Sequence, residues 1–345
     1  MAAYDRLFGS RLAGGVEQQS KLVRSHGSRS RLPMTYSKRI LSAWRLLAKG
    51  NPGQAETPVS NFDHPGRGGK RMAVAVILGT NEIASAIAVD LRRAGYGVVL
   101  SHDPHPVVIR RKMAFHDALY DDGVSLDGIA AERADTGFEI RNRVGASGGV
   151  LVTELGLLDL IVIQSLDVLV DARMQKYQVK PDLRDLTPLT IGLGPGFCGG
   201  NNCDIAIETR PGKAGRIIQQ GPTDAPDGIP HSLGDRGEER FVRAEFPGRW
   251  HTAVEIGTRV FKDFIIGHLR NAPIRAPFDG LLRGVVRDGT EVDAGSKLLE
   301  IDSRGRKASF EGIDDRGRVI AKAVMKAIAF RKQALSENVG VVPAT

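Results

Sequence analysis

From residue 72 onward the chain alternates short continuous apolar runs with amphipathic stretches. "AVAVIL" is apolar at every position, as a strand buried on both faces requires. "NEIASAIAVDLRRAG" then places Ile83, Ile87 and Leu91 at helical spacing with Gly95 as its stop, and "YGVVLSHD" returns to strand. This is a βαβ opening. "GGVLVTE", "DVLVDA" and "LTIGLG" add parallel-sheet strands separated by helical or irregular pieces, so the pattern predicts an α/β, Rossmann-like parallel-sheet domain over 71–240.

After residue 240 the pattern changes. "RAEFPG" at 243–248 recurs as "RAPFDG" at 275–280, and "GTRV" at 257–260 recurs as "GTEV" at 289–292, both offset by 32 residues. Short β-prone pieces between Gly-containing turns in each half predict a small all-β sandwich of two related halves over 241–304. The segment resembles the barrel-sandwich hybrid fold of biotinyl and lipoyl carrier domains. Those carriers modify a lysine beside methionine at a hairpin tip, a pair missing from this segment, so Lys262 and Lys297 read as solvated surface residues. Over 305–330 "DDRGRVIAKAVMKAIAF" predicts a closing helix, and residues 331–345 are expected to fray.

The net charge of +8 resides in the first 70 residues, which hold 12 of the 48 Lys/Arg and 4 of the 40 Asp/Glu, leaving 36 of each in the remainder. A nucleic-acid-binding body is therefore not expected. Residues 1–70 read as a basic, largely disordered tail with one amphipathic helix in "YSKRILSAWRLLAKG"; contact with an acidic surface and a bland extension both fit it. Two cysteines exclude a disulfide framework as the basis of the fold, and the longest apolar runs are broken by Asp159, Gln164 and Asp167. A cytoplasmic protein without a transmembrane segment is expected.

Candidate chemistry lies in the loops after the strands. "GTNEIAS" keeps only Gly79 of a dinucleotide-binding glycine turn, with Asn81 and Ala84 in the other glycine places and Asp103 near the position of a ribose-binding acid. A cofactor phosphate at Gly79 and a Rossmann-like unit without a pocket both remain open, and with the first an NAD(P)-dependent oxidoreductase. Arg110 and Arg111 are spaced to clamp a phosphate or to pair with Asp171; Asp171, Arg173 and Lys176 follow a strand whose carboxyl end borders the crevice of an open α/β sheet. "SHDPHP" reads as a solvated loop. In "IGLGPGFCGGNNCDIAIET", Gly194 and Gly196 permit positive φ or close approach of a ligand, but a Walker cradle is excluded, since a strand follows and no lysine does. One cysteine pair without a second is a poor zinc set, so no metal site is expected. Cys203 reads either as a sulfur-carrying thiol or as a small buried strand residue.

"VVIRRKMAFHDALYDDGVSLDGI", "DVLVDARMQK", "IGLGPGFCGGNNCDIAIETRPGKAGRII" and the duplicated β segment occur in this order from about Met72 to Phe330. On these motifs the chain resembles the accessory proteins of the selenium-dependent molybdenum hydroxylase system. It departs from them at "GTNEIAS", where a turn such as Gly-Ala-Gly-Asp-Leu-Ala-Thr is usual, and at Lys213, where histidine is usual. The resemblance implies maturation of hydroxylases of the xanthine dehydrogenase type, with a client hydroxylase or other maturation factors as partners and the molybdenum cofactor or a nucleotide precursor as ligand. Cys203 would deliver persulfide sulfur, beside Asp204 and Glu208, and Gly79, Arg110, Arg111, Asp171, Arg173, Lys176, Gly194 and Gly196 would border the ligand. A non-catalytic assembly scaffold docking through its β sandwich is the other reading.

Overall fold

The computed structural model describes residues 71–339 apart from positions 122 and 164. The basic segment over 1–70 with its expected helix, and residues 340–345, lie outside the described residues. The chain folds as a mixed α/β structure around one large, mainly parallel sheet, with smaller antiparallel sheets and a C-terminal helix.

The large sheet contains β1 (Val74–Leu78), β2 (Gly97–Ser101), β3 (Ser125–Leu126), β4 (Ile129–Arg133), β5 (Val150–Thr153), β6 (Val168–Asp171) and β7 (Thr190–Leu193). After β8 (Cys198–Gly199) it continues with β9 (Ile205–Ile207) and β10 (Ile217–Ile218), while β11 (Gly221–Pro222) pairs only with β8. The spatial order is β10-β9-β7-β6-β1-β2-β5-β4-β3, parallel from β9 to β4 and antiparallel at both ends. Every position of β1 is buried. Ala75 and Ile77 enter the core shared with α1 (Glu82–Arg93), whereas Val74, Val76 and Leu78 enter the core shared with α2 (Gly137–Arg143) and α3 (Leu157–Ile163). Alternation across a two-faced sheet explains why the strand shows no polar face.

Helix α1 starts where the Asn81 side chain accepts from the N–H groups of Ile83 and Ala84, and stops at Gly95, whose φ of 83° reverses the chain. The closing helix α4 (Asp315–Val339) lies on the α1 side, burying Ile320, Val324, Ala327 and Ile328 in the same core. It continues past the expected limit near residue 330. No helix among the described residues is long and apolar enough to cross a membrane.

The duplicated segment forms two four-stranded antiparallel sheets. One has the order β12 (Phe241–Arg243), β19 (Lys297–Asp302), β17 (Gly280–Val285), β14 (Arg259–Val260); the other β16 (Ala272–Arg275), β15 (Ile265–Leu269), β13 (Gly248–His251), β18 (Glu291–Val292). Shifting the numbering by 32 residues maps each strand of the first sheet onto the strand at the same place in the second. The repeat thus appears in space as two matching sheets around Trp250, Leu269, Val285 and Leu299. The β15–β16 turn carries Arg270 and Asn271 rather than a lysine. Lys262 is exposed as expected, but Lys297 is half-buried, its Nζ 3.4 Å from the Phe241 ring centroid; burial, with Arg110 and Arg243, pushes its pKa down to about 8. A segment from the α/β part completes this module: Ile109 enters its core and accepts from Val285 N at 2.8 Å.

Candidate functional site at the carboxyl edge of the sheet

Strands β1, β2 and β5 run outward in one direction, then the chain crosses to the other side of β1 for β6, β7 and β9. The order therefore reverses between β1 and β6, the place where open α/β sheets form a crevice beyond their carboxyl ends. Gly79 and Asn81 follow β1 there, opposite Ala172 and Arg173 after β6. A Cβ on Gly79, whose φ is +109°, would stand 3.0 Å from the Ala172 carbonyl oxygen, so the close approach of two backbones requires glycine. The helix N-terminus behind Gly79 is already occupied. Asn81 Oδ1 takes the N–H groups of Ile83 and Ala84, its Nδ2 donates to Ala172 O at 2.8 Å, and the Glu82 carboxylate sits beside them. A dinucleotide pyrophosphate would have to displace this cap, which corrects the expectation of a phosphate at Gly79.

Asp171 is buried and forms a bidentate pair with Arg173, the shortest contact 2.5 Å. Gln175 Nε2 donates to Asp103 at 2.9 Å, and Arg173 lies 3.5 Å from the same carboxylate. The expected ribose-binding acid is thereby held within the protein. Asp171 pairs with its own neighbour and not with Arg110 or Arg111.

Arg110 and Arg111 are drawn toward the β module because Ile109 just before them is part of its core. Arg110 donates to Glu300 at 2.6 and 3.0 Å and to Glu82 at 2.8 Å; Arg111 donates to Asp117 at 2.6 Å and to Val285 O at 3.1 Å. Burial opposes the Arg110 charge, but Glu300 and Glu82 outweigh it and raise its pKa. The expected phosphate clamp is instead an ionic junction between the α/β part and the β module, with Arg240 donating to Glu300 at 2.8 Å and Arg283 3.2 Å from Asp314.

The glycine-rich loop turns a corner. Gly194, at φ +77°, leaves no room for a Cβ, which would fall 2.6 Å from Thr209 Oγ1, and Thr223 donates to Gly194 O at 2.7 Å. Gly196 lies over the Lys180 side chain, whose Nζ donates to Gln175 O at 2.7 Å, so the loop does border the segment after β6. Glu208 is consumed by the backbone, accepting from Thr209, Arg210 and Asp224 N–H groups at 2.7 Å each; Asp204 accepts from Thr190 N and Oγ1 at 2.7 Å. Both carboxylates are engaged within the protein. Cys203 is fully buried in the α2–α3 side core, and burial pushes its thiol up to about 12. A sulfur carrier needs an accessible thiolate, so this environment corrects the catalytic expectation for Cys203. No group of three or more metal-ligating side chains occurs among the described residues.

Two features escaped the sequence reading. Thr80 Oγ1 lies 3.2 Å from His102 Nδ1 and 3.0 Å from His116 Nδ1, with the two rings 5.0 Å apart. His102 is therefore half-buried rather than solvated, its pKa lowered by burial against the opposing pull of Glu154 and Asp103. His116 goes further, to about 3, through burial and the neighbouring His102 and Arg111. The second feature is Arg316 at the start of α4. It donates to Thr209 O at 3.1 Å, beyond β9, and its buried Nε has no partner. Of the expected ligand-facing cations, Lys176 alone has no hydrogen bond or ion pair among the described residues; burial and the Arg316 charge lower its pKa.

No family model matches the chain. An uncharacterized protein of Escherichia coli K12, YqeB, is 31% identical over 264 residues, which cover 74% of this chain and 47% of YqeB. The chain thus spans about half the length of this curated relative. Among solved structures, the ectoine utilization protein EutE (DoeB) of Ruegeria pomeroyi aligns with 67% of this chain and 52% of its own, at 13% identity and a TM-score of 0.17. An aspartoacylase family protein of Mesorhizobium loti aligns with 67% of this chain and 85% of its own, at 8% identity and a TM-score of 0.21. A succinylglutamate desuccinylase of a Silicibacter species gives the same coverages at 12% identity and a TM-score of 0.20. Likenesses at this level carry no argument about fold or activity.

Proposed function

We propose that the chain is an accessory protein for the maturation of molybdenum hydroxylases of the xanthine dehydrogenase type, and that it binds the phosphate-bearing molybdenum cofactor or a nucleotide precursor. The observation that carries this reading is the strand order, whose reversal between β1 and β6 sets the segment that holds Lys176 along one carboxyl edge. The motifs shared with the selenium-dependent hydroxylase system supply the ligand class. In this reading the β module is a barrel-sandwich hybrid without the carrier lysine, the compartment is the cytoplasm, and the partners are a client hydroxylase or other maturation factors. Deleting the gene and measuring client activity and cofactor content at constant client protein tests it. The expected result is a client lacking active molybdenum centre; undiminished activity would refute the proposal.

One observation favours the scaffold reading. Phe261, Phe264 and Ile265 on the β module are 65%, 46% and 39% exposed, a cluster suited to docking on a partner. Replacing Phe261 and Phe264 by serine should then abolish co-purification of a client while leaving the melting temperature unchanged. Retained co-purification would remove this reading.

A further inference from the structure

Three polar side chains meet where β1 and β2 end. Thr80 follows Gly79 beyond β1, and His102 is the first residue after β2, its backbone N–H donating to Thr153 O at 2.8 Å beside the end of β5. His116 opens a 3₁₀ turn (His116–Leu119) that is anchored by Phe115, Ala118 and Leu119 in the α1 side core. The Phe115 N–H donates to Ser85 Oγ of α1 at 2.9 Å, which fixes the turn beside Thr80. Both Nδ1 atoms thereby converge on one hydroxyl, Thr80 Oγ1, at 3.2 Å from His102 and 3.0 Å from His116. Thr80 and His116 are buried and His102 is half-buried.

A hydroxyl carries one hydrogen. Held between two Nδ1 atoms, it donates to one ring and accepts from the other, so the two tautomers are set together. Burial keeps His116 neutral, with its pKa at about 3, and its Nδ1 can serve as the acceptor. Donation from His102 Nδ1–H to Thr80, and from the Thr80 hydroxyl to His116, leaves a lone pair on His102 Nε2. Only this direction survives when His102 gains a proton, because an imidazolium has no acceptor nitrogen. Burial and His105 lower the His102 pKa against the pull of Glu154 and Asp103, so the ring is unprotonated at neutral pH. Arg111 and Arg287 are the charges near His116, and the Tyr120 ring meets it edge-on at 5.7 Å. A base oriented by a second group, itself oriented by a third, is an arrangement suited to proton transfer.

We propose that His102 is a general base at the carboxyl edge, taking a proton through Nε2 from an uncharged ligand group with a weakly acidic N–H or O–H, with Thr80 and His116 as its positioning residues. The ligand's N–H or O–H bond breaks, its electron pair stays on the ligand, and the proton bonds to Nε2. The positive charge on the ring is met by the Nδ1–H donation to Thr80. Asp103 and Glu154 favour that charge and repel an anionic group, hence the uncharged ligand class. The assignment goes beyond the maturation reading and stands without it.

Nitrogen-15 NMR of the histidine-labelled full chain, above the ordinary imidazole pKa of about 6.5, reads the tautomer. The wild type should show His102 protonated on Nδ1 with a bare Nε2. Thr80→Val, which keeps the shape without the hydroxyl, and His116→Phe, which removes the final acceptor, should both lose this form; Thr80→Ser should keep it. Acylation by diethyl pyrocarbonate, located by mass spectrometry, reads the reactivity of Nε2. Relative to the exposed His251, His102 should react about fivefold faster in the wild type than in Thr80→Val, the equivalent of one ordinary hydrogen bond. Thr80→Ser should react as the wild type does. Melting curves establish that each variant is folded, and if Thr80→Val is not, the wild-type tautomer and reactivity decide without it. A wild-type His102 protonated on Nε2, a His102 acylated only after denaturation, or a folded Thr80→Val with the wild-type tautomer and rate would each overturn the site.

Discussion

Replacing Glu300 by glutamine should cost the fold about 3 kcal/mol. The carboxylate is fully buried and accepts from Arg110 at 2.6 and 3.0 Å and from Arg240 at 2.8 Å, with Arg283 3.9 Å away. Burial alone would raise its pKa; the arginines reverse this and hold it at about 2, against an ordinary 4.5. A shift of this size corresponds to about 3 kcal/mol of preference for the charged form in the folded state. The glutamine keeps the shape but removes the charge facing three arginines, and breaking a buried pair from one side typically costs about 3–5 kcal/mol. Trp250, buried in the β module with its Nε1 donating to Val286 O, reports on the unfolding of that module. Urea titration followed by its fluorescence, in a Trp44→Phe background, gives the difference between Glu300 and its variant. Because the carboxyl pKa is depressed, its contribution is whole above about pH 4.5 and is lost as pH falls toward about 2. The gap between the two proteins should close over that window. A gap below about 1 kcal/mol at neutral pH, or one independent of acid, would refute this account of the junction.

Three further outcomes follow from local geometry. Iodoacetamide should alkylate the partly exposed Cys198 in the folded protein and Cys203 only after denaturation, as read by mass spectrometry; equal rates would show that Cys203 is accessible. Resonances of the His116 ring should report a neutral imidazole down to about pH 4, since burial holds its pKa at about 3; the stability it contributes is whole above about pH 6.5 and declines below, and an ordinary titration midpoint would contradict this. Gly79→Ala should lower stability by about 1–3 kcal/mol in thermal unfolding, because it combines φ +109° with a Cβ 3.0 Å from Ala172 O, and an unchanged melting temperature would count against that close approach.

The elements legible in the sequence are those with a strong local period. The apolar run of β1, the spacing of Ile83, Ile87 and Leu91, and the 32-residue repeat each encode one element or one pairing. Strand β4 was not legible because only Ala131 of its five residues is buried, so the apolar run that marks the inner strands is missing from it. The site was read only at its backbone. Gly79 and Asp171 are recognisable as strand ends, but side-chain partnerships leave no local sign, since Arg110 meets Glu300 across 190 residues of sequence. Nothing near "VVIRR" indicates that Ile109 adds to the β module and carries both arginines with it. Lys176 was legible from its strand, whereas Arg316 comes near the segment after β9 only once α4 is seated.

The central claim is that a phosphate-bearing cofactor occupies the carboxyl edge. The direct measurement is the pterin content of the full chain isolated from cells that make the molybdenum cofactor, read by fluorescence after oxidation. The account predicts pterin phosphate bound to the wild type and absent from a folded Lys176→Glu variant. Wild-type protein free of pterin, or a charge-reversed variant that retains it, would contradict the account.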